Sequence, residues 1–313
     1  MIILDTLIKK CLRVLGMLAF FAAWPAAAQQ EGGFAFLRNG INAEAGAMGD
    51  AQVAWSRDAF STFWNPAGLA AAERNTASLS YYAWVLGTGT YAAASRLGLG
   101  ENGAVGLFVT AMESGNLEAR SGPGEPEGFF SVQFVSSGAS YGRRLGRFRA
   151  GVTAKYLLER IFTNSSQGYA FDFGVQADLP GEMQFGAALQ NIGRMSKLDT
   201  QATRLPEVLR AGVAAHPFHV RLQEDDATLA RLFATVEVSH FFGMQRTQLH
   251  VGLGAEVFEM LTLRGGYITN DDLRGPSLGI GLDIDKALVD YAYVAFESGY
   301  QGPGHIMTLT YQW

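Results

Sequence analysis

The pattern G-x-S-x-G, which in some hydrolases holds a nucleophilic serine, occurs at Gly138-Ala139-Ser140-Tyr141-Gly142. That chemistry needs the serine on a sharp strand-to-helix turn and a histidine partner that moves the proton. Here the pattern lies inside a run of alternating residues, which predicts the interior of a strand. We therefore expect Ser140 to be a wall residue. The sequence does not predict an enzyme, and a hydrolase is the least favoured function.

A second chemical candidate is the pair His216 and His219, which flank Pro217 and precede Glu224. Imidazole and carboxylate groups bind zinc, but the proline predicts a turn rather than a shared helical face. The other histidines are isolated, and the one cysteine, Cys11, lies near the N-terminus. We expect a solvated turn here, no metal site and no cofactor.

The first 28 residues have the pattern of a secretory signal. Lys9, Lys10 and Arg13 precede the apolar stretch 14–23, and Ala26-Ala27-Ala28 offers small residues at a cleavage site. The alternative is a membrane anchor, but the stretch is shorter than the roughly 20 residues that span a bilayer. We expect cleavage and export.

The charge of the chain argues against nucleic acid as a partner. After removal of the leader, 21 basic and 28 acidic residues remain, a net charge of −7, compared with −5 for the whole chain. The mature sequence has no basic run, and proteins that bind nucleic acid carry a positive surface.

Alternation of apolar with small or polar residues dominates the rest of the chain. It is clearest in 169–179, 183–190, 248–257, 261–267 and 277–284. One face of each segment is nearly free of charge, and the other is rich in Gly, Ala, Gln and Ser. A soluble sheet, the alternative, carries Lys and Glu on its outer face, whereas a transmembrane barrel alternates apolar-out with polar-in. We therefore predict an all-β antiparallel transmembrane barrel in the outer membrane of a Gram-negative-type bacterium.

The alternation predicts about fourteen strands of roughly ten residues within 75–313, a length that spans a bilayer. The predicted strands are 75–85, 88–97, 102–112, 129–142, 148–160, 167–179, 183–192, 207–216, 230–243, 246–258, 261–269, 275–285, 287–297 and 304–313. Counting from the first strand, the connections that should be periplasmic are short, as barrels require. The stretch 217–229 is the exception, because it is long and acidic yet should be periplasmic.

The last predicted strand places Met307, Leu309, Tyr311 and Trp313 on one face and ends on an aromatic residue. This is the form that the outer-membrane assembly machinery recognises. A soluble edge strand this apolar would be prone to aggregation. We therefore expect these four residues to be the assembly signal.

Several segments resemble one family. They are 36–40 (FLRNG), 43–51 (AEAGAMGDA), 58–59, 63–69 (FWNPAGL), 170–172, 190–193, 209–213, 289–294 and 304–305. Together they resemble the PorV/PorQ family of outer-membrane proteins, which are relatives of the FadL-type transporters of hydrophobic compounds. The resemblance implies a fourteen-stranded FadL-like barrel with an N-terminal segment inside it. Asn65, Pro66 and Ala67, followed by Gly68, match the triplet of the FadL-type hatch.

Residues 29–74 lack sustained alternation, so we expect a small plug or hatch in the lumen. The alternative is a periplasmic tail, but Phe60, Phe63 and Trp64 would be costly to leave in water. Apolar residues that should face inward, Trp84, Phe233, Phe241 and Phe296, either pack against the plug or line a path for an apolar ligand.

The barrel also offers the plug a set of charges. Glu256, Arg264, Asp283 and Asp290 should face inward near the periplasmic end. Three carboxylates around one guanidinium leave charge uncompensated, and partly buried charges need partners. We expect Arg38, Arg57 or Arg74 of the plug to supply one; the alternative is a solvated polar lumen.

The resemblance implies a non-catalytic barrel that serves a type IX secretion system as an accessory or partner. The alternative is passive FadL-like transport of hydrophobic small molecules. The expected partners are outer-membrane lipid and the assembly machinery, together with a secretion translocon or secreted cargo in the first case and hydrophobic small molecules in the second.

Overall fold

A computed structural model describes residues 34–115, 117–120, 122–221, 228–296 and 302–313. The predicted leader, 1–28, lies outside the described residues. The strands are β1 Thr76–Ala83, β2 Gly89–Leu99, β3 Gly103–Glu113, β4 Leu117–Ala119, β5 Gly128–Phe130, β6 Val132–Leu145, β7 Phe148–Ile161, β8 Asn164–Leu179, β9 Met183–Met195, β10 Lys197–Leu198, β11 Gln201–Ala202, β12 Val208–Arg221, β13 Thr228–Phe241, β14 Arg246–Val257, β15 Leu261–Ile268, β16 Arg274–Ile284, β17 Ala287–Phe296 and β18 Gly304–Gln312.

Fourteen of these strands form one closed antiparallel barrel. Each pairs with its neighbour along the chain, and β1 pairs with β18 from Thr76↔Gln312 to Ala83↔His305, which closes the ring. The short strands β4–β5 and β10–β11 form two separate hairpins within the loops. The predicted fold class and strand number are confirmed.

The two faces of the wall differ as the alternation predicts. In β8, Phe171 and Phe173 are 40% and 51% exposed, whereas Asp172 between them is fully buried inside the barrel. The same contrast recurs around the ring, so the outer surface is a continuous apolar and aromatic band of the kind that faces lipid. No helix in the described part of the chain has the length and hydrophobicity needed to cross a membrane.

The two ends of the barrel differ in the length of their connections. The short-turn end has the described connections 100–102, 146–147, 180–182, 258–260 and 285–286, and both β1 and β18 meet there. The long-loop end has 84–88, 114–131, 162–163, 196–207, 242–245 and 269–273. The alternation of short and long connections follows the predicted one.

The exceptional stretch 217–229 is mostly not a loop, so that prediction is wrong. Strand β12 continues to Arg221 and β13 begins at Thr228, which leaves 222–227, outside the described residues, as the connection. The pairing of β12 with β13 is irregular between Ala215 and Phe218. A bulge at this point accommodates Pro217, which has no N–H to donate, so the strand continues beyond it.

Residues 34–74, here called the lumenal segment, run inside the barrel until β1 begins. They contain the helices Ala43–Ala47 and Ser61–Trp64 and the 3-10 turns Ala35–Arg38 and Pro66–Ala70. Almost all of their apolar side chains are buried against the inner wall. The core of the molecule is therefore the interface between this segment and the barrel.

Candidate functional site

Asn65 is the best-connected residue of the lumenal segment. Its side chain is fully buried, and Nδ2 donates to the carbonyls of Val53 at 2.7 Å, Val175 at 3.1 Å and Ala187 at 3.4 Å. Its Oδ1 accepts the N–H of Ala67 at 3.2 Å, which caps the 3-10 turn that begins at Pro66. One side chain thus joins the segment to itself and to strands β8 and β9.

Three inward-facing glycines, here called the glycine seat, lie beneath the Asn-Pro-Ala motif. Gly142, Gly151 and Gly174 are directly paired across β6, β7 and β8. A Cβ at these positions would lie 2.7 Å from the carbonyl oxygen of Pro66, 2.3 Å from the carbonyl carbon of Pro66 and 2.0 Å from Oδ1 of Asn65, respectively. Such distances are too short for any side chain, so only glycine lets the backbone approach this closely.

The same close approach continues around the wall. The glycines whose Cβ would meet the lumenal segment at 3.0 Å or less are Gly106, Gly186, Gly212, Gly252, Gly266 and Gly279. Sequence analysis treated such glycines only as small inward residues. The alternation did show which glycines face inward, but not that they contact a segment distant in sequence.

Two buried ion pairs also hold the segment, and sequence analysis missed both. Arg210 donates to Glu237 at 2.8 Å, and Glu237 in turn accepts the backbone N–H of Val53 at 2.8 Å. The guanidinium of Arg210 lies over the ring of Trp64 at 5.2 Å. The second pair joins Lys155 of β7 to Asp172 of β8 at 2.6 Å, and the ammonium group of Lys155 lies over the ring of Phe63 of the segment at 5.9 Å. Buried charges occur where they are paired, and these pairs link the wall to the motif region.

Some of the charged residues predicted to join the wall to the segment lie close to one another. Arg264 contacts Asp290 at 2.6 Å and Glu44 of the lumenal segment at 3.6 Å. Arg57 of the segment lies 3.9 Å from Glu256. The charged residues predicted from the sequence did not include Glu44, the carboxylate of the segment that contacts Arg264 of the wall.

The other predicted members lie elsewhere. Asp283 is exposed at the rim of the short-turn end. Arg74 is exposed, and its Nη1 donates to Gln312 at 3.4 Å. Arg38 lies at the long-loop end, where its Nη1 donates to the sulfur of Met244 at 2.7 Å. Of the three candidate arginines, Arg57 approaches Glu256, and Arg74 is close enough to Asp283 for their charges to interact.

Asp58 lies close to this charge cluster. Loss of hydration, followed by the charge of Glu44, raises its pKa from 3.8 to about 7, although hydrogen bonds from the backbone of Phe60 and Ser61 oppose the shift. Its Oδ1 accepts the N–H of Phe60 at 2.9 Å. Asp58 therefore changes protonation near neutral pH.

Asp50, in the middle of the segment, forms a buried ion pair with Arg274, which lies at the long-loop end of β16. Arg274 also contacts Asp271 of the long-loop end at 2.9 Å. Burial raises the pKa of Asp271, but Arg274 and the N–H groups of Arg274 and Leu273 lower it by more, to about 2. This carboxylate therefore stays ionised and links the loop to the segment.

A cavity of about 550 Å³ lies at the long-loop end. Its lining combines the apolar side chains Met195, Leu205, Phe241 and Met244 with four charged ones, Arg38, Arg194, Arg204 and Glu207. Of the aromatic residues predicted to line a path or pack a plug, Phe241 lies here. Phe233 instead stacks on Trp55 of the segment at 4.6 Å, and Trp84 packs on Phe296 at 4.9 Å.

The start of the lumenal segment closes the inner side of this cavity. Phe34, Phe36 and Leu37 are buried in one cluster with Met195 and Leu205, which also line the cavity. Phe34 and Phe36 pack on Phe134 of β6, with ring centroids 5.1 and 5.7 Å apart. The apolar side of the cavity thus continues into the packed aromatic cluster inside the barrel.

The chemical candidates of the sequence lie apart from this cavity. Ser140 faces the lumen and shares a hydrogen bond of 2.8 Å with Thr153 on the next strand, within the barrel wall. The ring of His216 packs against Trp55 at 5.1 Å, and the side chain of His219 lies outside the described residues. The described residues contain no group of three metal-binding side chains.

The four residues of the predicted assembly signal share the outer face of β18 and its end. Met307, Leu309, Tyr311 and Trp313 are all about half exposed. Trp313 also exchanges two backbone hydrogen bonds of 3.1 Å with Asn75 at the barrel seam. Their recognition by an assembly machinery stays a prediction.

Comparison with known proteins gives similarity in structure but not in sequence. No family model matches the chain, and no curated protein matches it in sequence. The toluene transporter TbuX of Ralstonia pickettii is similar with a TM-score of 0.60 and 14% identity, over 87% of this chain and 98% of that one. The toluene transporter TodX of P. putida has a TM-score of 0.61 and 11% identity, over 88% and 99%.

A FadL homologue of Pseudomonas aeruginosa is similar with a TM-score of 0.54 and 11% identity, over 87% of this chain and 98% of that one. Identities this low establish the fold alone, and they do not show the narrower PorV/PorQ relationship. The chain therefore has a FadL-like fold, a closed fourteen-stranded antiparallel barrel with a short N-terminal helical segment.

Proposed function

We propose that this protein is a passive transporter of hydrophobic small molecules in a bacterial outer membrane. The observation that carries the proposal is the cavity at the long-loop end, whose apolar side includes Met195 and Leu205 of the cluster that contains Phe34 and Phe36. Sites for small apolar ligands are concave and mostly lined by apolar and aromatic groups.

The outer surface and the loops support the location and the orientation. The apolar band fits a bilayer, and outer-membrane barrels have short periplasmic turns and longer external loops. The short-turn end then faces the periplasm, and the cavity faces outward, where a compound from the medium first meets the protein. The predicted leader 1–28 would supply export.

The size of the cavity and its apolar side suit small, largely uncharged molecules. A dry apolar cavity of roughly 150 Å³ is already enough to hold benzene, and this cavity is about 550 Å³. The two solved structures TbuX and TodX described above are named as toluene transporters. Monocyclic aromatic hydrocarbons and short apolar compounds are therefore the proposed substrate class.

The lumenal segment acts in this proposal as the hatch. The glycine seat and Asn65 hold its middle firmly against β6–β9. At the start of the segment, Phe34 to Leu37 form one backbone turn of their own. Apart from that turn, the described contacts that hold them are apolar packing. Movement of this apolar start, with the middle fixed, would extend the cavity inward.

Uptake of labelled toluene tests the function. Cells with an intact lipopolysaccharide-containing outer membrane that express the protein should take up the tracer faster than cells with empty vector. Leu205→Trp, which narrows the cavity, should reduce uptake. Leu278→Trp, on the lipid-facing wall where Leu278 is 64% exposed, is the matched control and should not. Equal uptake with and without the protein would reject the proposal.

A second proposal is the accessory role in type IX secretion that the sequence resemblance implies. One surface observation favours a protein partner: Phe129 and Phe162, in the long-loop end, are 62% and 65% exposed. Exposed apolar patches mark interaction sites. Co-purification of a translocon or secreted cargo from native membranes, lost in the Phe129→Ser and Phe162→Ser double variant but not in Leu205→Trp, would support this role over transport.

A further inference from the structure

The hairpin that joins β6 to β7 carries a concentration of positive charge at the short-turn end. Arg143, Arg144 and Arg147, here called the arginine turn, fall within five residues, and Arg149 follows. The other described turns at this end carry Glu101, Glu182, Glu259 and, beside Lys286, Asp285. On a chain of net negative charge, this local excess needs an explanation.

Arg143 faces the lipid side of the wall. It lies between Tyr141 and Leu145, which are on the same face of β6 and are 41% and 57% exposed. Leu145, on the same face, therefore lies between Arg143 and the turn. An arginine on the lipid face of a barrel costs about 2–4 kcal/mol at the midplane and close to nothing at the interface. Arg143 must therefore reach the level of the headgroups.

Among the described residues, no carboxylate forms an ion pair with the three arginines of the turn. Asp178, the carboxylate of the neighbouring strand, is bound to Arg149 by two hydrogen bonds of 2.7 and 2.9 Å. Arg144 lies on the inner face with Gly142, whereas Arg143 and Arg147 are exposed, so the charge of these two is available to a partner from outside.

The wall beside Arg143 has room for such a partner. Arg143 pairs with Gly103 of β3 on one side and with Ala150 of β7 on the other, two of the smallest side chains. The ring of Tyr141 lies over Gly103, with its hydroxyl 3.4 Å from the position of a Cβ there. The guanidinium of Arg143 and the hydroxyl of Tyr141, both of which donate hydrogen bonds, thus share one face of the wall with only small side chains paired beside Arg143.

We propose that the arginine turn binds the phosphate headgroup of an anionic phospholipid in the leaflet that meets the short-turn end. A guanidinium matches phosphate oxygens with two parallel N–H groups. Leu145 and Phe148, which are exposed on the outer face beside it, would contact the acyl chains. Arg147 lies over the ring of Phe148 at 5.0 Å, which keeps its charge at the edge of the apolar band.

The proposal rests on the membrane location within the proposed function, but not on transport. The two can therefore fail separately: a barrel that retains phospholipid but admits no toluene would leave this inference standing. A barrel that admits toluene and shows no preference among lipids would leave only the transport proposal.

The test is retention of lipid by the full-length mature barrel. The purified protein is incubated with detergent micelles that contain phosphatidylglycerol or phosphatidylcholine, and the bound lipid is measured by native mass spectrometry. Each basic group near an anionic surface contributes about 1 kcal/mol. The Arg143→Gln and Arg147→Gln double variant should therefore bind phosphatidylglycerol about 25-fold more weakly. Arg160→Gln, an exposed arginine of β7 near the long-loop end, is the matched control and should bind normally.

Three results would overturn the proposal. They are equal retention of the two lipids, unchanged retention by the double variant, and displacement of the lipid by millimolar inorganic phosphate, which would indicate a simple anion site. Unchanged thermal unfolding of the double variant in plain detergent would show that a loss of lipid is not a loss of folding.

Discussion

Replacement of Gly151 by alanine tests whether the glycine seat holds the lumenal segment. Gly151 lies on the inner face of β7 between Gly142 and Gly174. A Cβ there would lie 2.3 Å from the carbonyl carbon of Pro66 and 2.5 Å from its oxygen and from the nitrogen of Ala67. All three are backbone atoms, so no side-chain rotation relieves the clash.

The magnitude follows from these distances. Carbon atoms pack best at about 3.5–4.0 Å, so the motif must move by more than about 1 Å. Overpacking of this kind costs about 1–3 kcal/mol. We take the upper value because Asn65 and the wall hold the motif on its other sides. A cost of about 3 kcal/mol to the seated state corresponds to a roughly 100-fold increase in its opening equilibrium.

Amide hydrogen exchange measures this opening directly. The N–H groups of Ala67 and Gly68, which donate to the side chain and the carbonyl of Asn65, should exchange roughly 100-fold faster in Gly151→Ala. Gly265→Ala is the matched control: Gly265 is also a glycine of a barrel strand, but the nearest atom to its Cβ position lies at 3.6 Å. If the two variants exchanged alike, the close-approach argument would be refuted.

Three further predictions concern polar groups at the same interface. Asn65→Ala removes a buried side chain that donates to three carbonyls, and should lower the free energy of unfolding by about 2–4 kcal/mol; a loss below about 1 kcal/mol in urea unfolding would contradict its role. Glu237→Gln leaves Arg210 buried without its carboxylate and should cost about 3–5 kcal/mol by the same measurement. Asp58 has a pKa of about 7 in the folded protein against 3.8 unfolded, so its own contribution to stability should be fully present below pH 4, be lost between pH 4 and 7 and then stay level. Asp58→Asn, which keeps an acceptor for Phe60, should lose that part of the pH dependence; an unchanged profile would exclude Asp58 as its source.

Much of the barrel could be predicted because alternation is a local property. The inward position of Asp172 between Phe171 and Phe173 follows from period two alone, and so do most of the strand limits. The error at 217–229 has a local cause as well. Proline and acidic residues predict a loop, but a bulge lets β12 continue through Pro217.

The site could be predicted only in part, because its contacts depend on which strands become neighbours. The Asn-Pro-Ala motif was visible as a motif, yet nothing in the sequence distinguishes Gly151, which touches it, from Gly254, which also faces inward but meets Phe233 of the wall. Likewise, the pairing of Arg210 with Glu237 requires the register of β12 against β13. Arg57 near Glu256 was among the expected combinations, and its part in holding the segment stays a prediction.

The central claim, that hydrophobic molecules pass through the cavity at the long-loop end, is tested most directly by photolabelling. Cells that express the protein are exposed to a photoreactive derivative of toluene, with and without excess toluene, and the adducts are mapped by mass spectrometry. We predict adducts on Met195, Leu205, Phe241 and Met244 that excess toluene suppresses. Adducts confined to lipid-facing residues such as Leu278, or cavity adducts that toluene does not suppress, would contradict the claim.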